Sequence, residues 1–154
     1  MAITIKDYLN KAKFVRDNIL DEQERIVLRN ENNISRLNIN QVENSKGNDG
    51  KELKNSNSKF KGRYTMATQM MNPKKVAGEL YDFIETGDFI KSFEVDIAND
   101  LTKINIFNTG TGSGGKSSFF KGYTNLFGLD KANQNKLNNE IILPELKTFI
   151  KKYL

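Results

Sequence analysis

Two runs decide the fold: Glu85-Thr86-Gly87-Asp88-Phe89-Ile90-Lys91-Ser92-Phe93-Glu94-Val95-Asp96-Ile97, and Lys103-Ile104-Asn105-Ile106-Phe107-Asn108 soon after it. Thr86 is placed to cap a short helical turn over 88–93, with Asp88 favourable in its first turn. From Phe93 the period changes. Phe93, Val95 and Ile97 alternate with Glu94, Asp96 and Ala98, the two-residue repeat of a half-buried strand. Asn99-Asp100 is turn chemistry, and residues 103–108 alternate again. The pattern predicts a β-hairpin over 93–108. A hairpin alone is not stable, so helices or further strands must cover its apolar face.

Upstream, Thr4 is a helix cap with Asp7 at the capping-box position. Ile5, Tyr8, Ala12, Val15, Ile19 and Ile26 then repeat at helical spacing. Past Ile26 the stripe drifts through Val27, Ile34, Leu37 and Val42. That predicts either one long, lightly packed helix or a break near Asp21 or Asn30–Asn33. Glu22, Glu24, Arg25 and Arg29 are within pairing reach on the exposed side. So thin a stripe is marginal alone, and the helix is expected to pack on its own sheet on one side and a neighbouring subunit on the other. Residues 44–51 break the helix, with Gly47 suited to its C-cap and Asp49-Gly50 to a tight turn.

The segment 44–78 reads as a basic, loosely structured arm. It carries eight Lys/Arg against two Asp/Glu, a net of +6, while the rest of the chain nets −1. Such a local excess suits a solvated loop or contact with phosphate or an acidic partner. Lys59, Lys61, Arg63, Lys74 and Lys75 beside Phe60 and Tyr64 have the charge and rings of a single-strand binder. Met66, Met70 and Met71 fit one side of a short helix. Leu80–Ile84 fits a short strand.

Downstream of the hairpin, Gly110-Thr111-Gly112-Ser113-Gly114-Gly115-Lys116-Ser117 spells the phosphate-cradling loop, with Gly110, Gly115, Lys116 and Ser117 at its defining positions. The rest of that context is missing. A hairpin precedes the loop where a βαβ unit is needed, and only 37 residues follow Ser117. The simpler reading is a glycine-serine loop. Asp130 is an N-cap for the last helical segment, whose apolar side is Leu137, Ile141, Ile142, Leu146, Phe149 and Ile150. Pro144 predicts a kink or break near Ile142–Leu143. Lys147, Lys151 and Lys152 complement the helix dipole.

The chain of 154 residues fits a single domain, 1–154. The sequence predicts an α+β fold: a long N-terminal helix, a small antiparallel sheet built on the hairpin, and a C-terminal helix kinked at a proline. There is no Cys and no His, which excludes disulfide frameworks, thiolate zinc sites and histidine bases. The carboxylates Asp82, Glu85, Asp88, Glu94 and Asp96 lack the spacing of a calcium loop and read as solvated charge. No enzyme, cofactor or metal site is expected. No apolar run reaches a membrane span, and the first residues lack a signal-peptide core. The chain is therefore expected to remain in the cytoplasm of the producing cell, without a membrane partner.

Three pieces in order carry a family resemblance. The first is Leu37-Asn38-Ile39-Asn40-Gln41, then Gly47-Asn48-Asp49-Gly50-Lys51-Glu52-Leu53. The second is Glu85-Thr86-Gly87-Asp88-Phe89-Ile90-Lys91-Ser92-Phe93. The third is Leu126-Phe127-Gly128-Leu129-Asp130, then Ile141-Ile142-Leu143-Pro144-Glu145-Leu146. Over roughly residues 30–154 the chain resembles the neck, head–tail connector and tail-completion proteins of tailed bacteriophages, most of all those of Bacteroides-infecting, crAss-like phages. It departs from them in the glycine-rich loop 109–124. The resemblance implies a virion structural protein at the head–tail junction or upper tail, assembled in the host cytoplasm. Copies would form a hexameric or dodecameric ring around the DNA channel and join portal or adaptor to tail proteins, with non-specific DNA contact. Lys59, Lys61, Arg63, Lys74, Lys75, Lys116 and Lys121 are the candidate partner or DNA contacts. The alternatives are a nucleic-acid-binding module using residues 46–75 and a nucleotide-binding protein using Gly110–Ser117.

Overall fold

The computed structural model describes residues 4–53, 55, 62–81, 83, 91–98, 103–108 and 122–154. The elements in chain order are helices α1 (Ile5–Arg29), α2 (Glu31–Glu43) and α3 (Met66–Met71), strands β1 (Phe93–Ile97) and β2 (Ile104–Asn108), and helix α4 (Lys131–Leu137). A π-helical turn (Asn138–Ile142) and helix α5 (Leu143–Tyr153) complete the chain. The class is α+β, with a long N-terminal helix, a two-stranded antiparallel sheet and a C-terminal helix.

Helix α1 begins as its sequence predicts. The Thr4 side chain accepts the Asp7 N–H and the Asp7 carboxylate takes the Thr4 N–H, a complete capping box. The drift of the stripe resolves as a break at Asn30, which closes α1 and opens α2. Asn30 sits at φ −105, ψ 14, close to the bridge region. Its side-chain amide donates to the Ile26 carbonyl at 2.9 Å, a local bond of the kind that lets asparagine end a helix. The left-handed position after α2 falls on Ser45 (φ 57). Gly47, read above as the C-cap, serves close approach instead: a Cβ there would lie 2.8 Å from the Asn125 carbonyl oxygen.

The strands pair in the expected alternation, with Phe93 opposite Asn108, Val95 opposite Ile106 and Ile97 opposite Ile104. Phe93, Val95 and Ile106 are buried, and Glu94, Asp96 and Asn105 face solvent. Helices α1 and α2 cover the inner face of the hairpin. Ile26, Val27, Ile34 and Val42 from the two helices meet Val95, Ile106, Leu53, Leu126, Leu137 and Ile142 in one cluster. Each such aliphatic side chain contributes about 1.5–3 kcal/mol by leaving water.

Pro144 acts one turn earlier than a simple kink would. It cannot donate to residue 140, and its ring crowds that carbonyl. The preceding turn widens to the π form, with the Leu143 N–H donating to the Asn138 carbonyl. The proline then occupies the first turn of α5, where its missing donor is not needed. Asp130 caps α4 by accepting the Asn133 N–H at 2.8 Å.

Candidate interaction surface

Helix α5 runs antiparallel along α1. The Arg29 guanidinium donates to Glu145 at 2.8 Å and to Glu22 at 3.0 Å, while the Asn30 amide donates to the other Glu145 oxygen at 2.7 Å. The Arg29 hydrogen bond, with that of Asn30, holds the Glu145 carboxyl below its ordinary pKa. At the far end Phe14 stacks on Tyr153, with ring centroids 4.8 Å apart. Tyr153, in the last turn of α5, therefore lies level with Phe14, and the first turns of α1 run on from there by about 13 Å at 1.5 Å per residue.

The apolar stripe does not stop where its cover stops. Ile26 and Val27 are sealed, at 0% and 2% exposure. Along the same helix Ile5 is 82% exposed, Tyr8 53%, Leu9 54% and Leu20 54%. At about 100° per residue, Ile5, Leu9, Ala12, Arg16 and Leu20 fall on the side away from Phe14 and α5. One amphipathic helix is thus sealed at Ile26 and Val27 and also buried at Val15, while Ile5, Tyr8 and Leu9 of its first turns and Leu20 are uncovered. At the junction, Gln23, Glu24 and Val27 of α1 line a cleft of about 460 Å³ with Ile97, Lys103 and Ile104 of the hairpin.

The described parts of the basic segment are built into the fold. Lys46 and Glu52 form a bridge that closes a turn, and Leu53 enters the core. Residues 62–81 fold on themselves. Tyr64 donates to the Glu79 carbonyl and Gly78 to that of Tyr64, and Arg63 bridges Leu80. Thr65 caps α3. Met66, Met70 and Met71 are exposed at its surface, so no apolar face of α3 is covered.

Of the candidate cations of that segment, Arg63, Lys74 and Lys75 are among the described residues. Arg63 donates to the Gly78 carbonyl at 2.8 Å and pairs with Glu52 at 3.3 Å. Lys75 is buried, its ammonium 5.4 Å from the centroid of the Tyr64 ring, a cation–π position. Tyr64 in turn packs edge-on against Tyr81 at 4.8 Å. Lys74 is exposed. Lys59, Lys61, Lys116 and Lys121 lie outside the described residues, as do Gly110, Gly115 and Ser117 of the glycine loop. Thr86, Asp88, Asp82 and Glu85 lie outside them as well. Glu94 and Asp96 are exposed on β1. Among the described residues no group of acidic side chains could hold a metal ion, and no helix is long and apolar enough to cross a membrane.

Sequence reasoning missed a polar clamp. The turn 125–130 makes no ladder, so its backbone groups need other partners. The Gly128 N–H donates to Asn38 Oδ1 at 3.1 Å, and Asn38 Nδ2 donates to the Leu126 carbonyl at 3.2 Å. Gln41 donates to the Gly128 carbonyl at 3.0 Å and accepts the Asp130 N–H at 2.8 Å. Asn48 donates to the Phe127 carbonyl at 2.7 Å. Gly128 itself lies at φ +104, open only to glycine at low strain. The available signal was Asn38 and Gln41 on the same face as Ile34 and Val42, polar residues at core positions of α2.

The chain matches no protein-family model, no curated protein and no solved structure. The surface must therefore be read from its own chemistry.

Proposed function

We infer that this chain is a structural subunit whose fold is completed by assembly. The reading is a virion protein that forms an oligomeric ring at the head–tail junction or upper tail of a tailed phage. It would join portal or adaptor to tail and surround the DNA channel. The observation that carries assembly is the exposed apolar side of α1 at Ile5, Tyr8, Leu9 and Leu20, on the helix that seals the core at Ile26 and Val27. Exposed leucine, isoleucine and tyrosine in line on a projecting helix mark a contact with another protein. The exposed methionines of α3 add a second adaptable apolar surface. The location in a phage neck rests on the resemblance of residues 30–154.

The mechanism on this reading is ordering of surfaces on adjacent subunits, with no bond made or broken. The nucleic-acid alternative is weakened by Arg63 and Lys75, which spend their charge on Glu52 and Tyr64. Negative-stain imaging of the purified chain tests the proposal and is expected to find closed rings of six or twelve copies. Monodisperse single subunits at high concentration would overturn it. So would nucleotide hydrolysis abolished by Lys116→Ala, since that outcome makes the glycine loop a working site.

A further inference from the structure

The uncovered stripe of α1 also carries a charge pattern. Lys6, Lys13, Asp17 and Glu24 are spaced seven, four and seven residues apart. At about 100° per residue they share one flank of the stripe, basic in the first half and acidic in the second. A parallel copy would set this flank against the partner's opposite flank, away from its own four charges. An antiparallel copy sets Lys6 against Glu24, and Lys13 against Asp17, whose carboxylate also accepts from Arg16 of its own chain at 2.7 Å, at matching heights, twice over by symmetry. The cleft supplies a second, independent observation. It opens at Gln23 and Glu24, where this register delivers the first turn of the partner helix. Ile5, 82% exposed in the single chain, would reach its partly exposed apolar wall at Ile97 and Ile104.

We propose that α1 pairs antiparallel with α1 of a second copy, the first turn of each seating in the hairpin cleft of the other. This rests on the reading that the chain assembles with itself, and it names one contact of that assembly. The contact is isologous, so it forms a two-fold pair. A larger ring then needs a second surface in addition. The occupant is another copy because the charge order is complementary to itself only when reversed. The flank ion pairs set register and orientation, as flanking charges do between paired helices, and weaken as salt rises.

The test is a charge swap followed by sedimentation equilibrium. Lys6→Glu with Lys13→Glu makes the flank wholly acidic, and Asp17→Lys with Glu24→Lys makes it wholly basic. Each double variant is expected to weaken self-association about thirtyfold or more at low salt. Mixing the two, or combining all four substitutions in one chain, is expected to restore it. Far-UV circular dichroism of each variant separates misfolding from lost pairing, and restoration in the mixture excludes misfolding directly. Weakening without restoration would overturn the antiparallel pairing. Unchanged assembly in both double variants would overturn this contact and leave the assembly reading standing. Wild-type chain that stays monomeric at every concentration would overturn both.

Discussion

Replacing Asn38 by alanine removes both ends of the clamp that holds the turn 125–130 on α2. Asn38 is 0% exposed and Leu126 1%, so the Leu126 carbonyl loses its 3.2 Å bond with little access to water. A buried polar group left without a partner costs about 1–3 kcal/mol. Gly128 is half-buried, so water can replace part of its bond and its share falls at the low end. The small void left by the amide adds to the loss. Together these place Asn38→Ala at about 3 kcal/mol less stable. For a domain of this size that lowers Tm by about 6–12 °C. Urea unfolding followed by circular dichroism reads it as a lower midpoint at unchanged slope. Asn40→Ala, two residues away and exposed, changes stability by less than about 0.5 kcal/mol. Equal effects from the two variants would refute the clamp.

Gly47→Ala drives a methyl group into the Asn125 carbonyl, 2.8 Å from the new atom, and is expected to cost about 1–3 kcal/mol in the same unfolding assay. Glu145→Gln tests the node between α1 and α5. The Glu145 carboxyl is held down chiefly by its Arg29 hydrogen bond. Its contribution is therefore complete above the unfolded value of about 4.3 and is lost as pH falls through the lower folded value. With both side chains partly exposed, at 55% and 37%, the variant should be less stable than wild type by under about 1 kcal/mol at pH 7. The difference should close below about pH 4. A constant difference down to pH 2 would contradict the ion pair.

The local elements were legible because their signals are local. The capping box of Thr4 and Asp7, the alternation of Phe93–Ile97 against Ile104–Asn108, and the Asp130 cap each depend on residues within a few positions. The α1–α2 break was legible only as one of several options, because Asn30 ends the helix through bonds to Ile26 and to the distant Glu145. The clamp of Asn38, Gln41 and Asn48 was not legible. Nothing in a helix pattern says which backbone, some 90 residues away, a buried amide will satisfy. Charge counting across 44–78 found the basic residues but not their directions. Lys75 turns onto Tyr64 and Arg63 onto Glu52, which a tally of cations cannot foresee. Pro144 announced a disturbance correctly, while its form, a π turn before the proline, depends on how the preceding helix relieves a crowded carbonyl. The thin stripe of α1 was expected to pack on its own sheet and on a neighbouring subunit; the structure shows α1 packed chiefly along α5, with Val15 buried and Ile5, Tyr8, Leu9 and Leu20 exposed.

The central claim is that this uncovered face of α1 is an assembly surface. Sedimentation velocity of wild type and Leu9→Lys, compared over a wide concentration range, tests it most directly. Leu9 is more than half exposed, so a lysine there leaves the isolated fold intact. The account predicts that wild type associates reversibly as concentration rises and that Leu9→Lys associates more weakly at every concentration, staying nearer the monomer mass of 17.6 kDa. A wild-type chain that never leaves that mass, or a Leu9→Lys chain that assembles equally well, would contradict it.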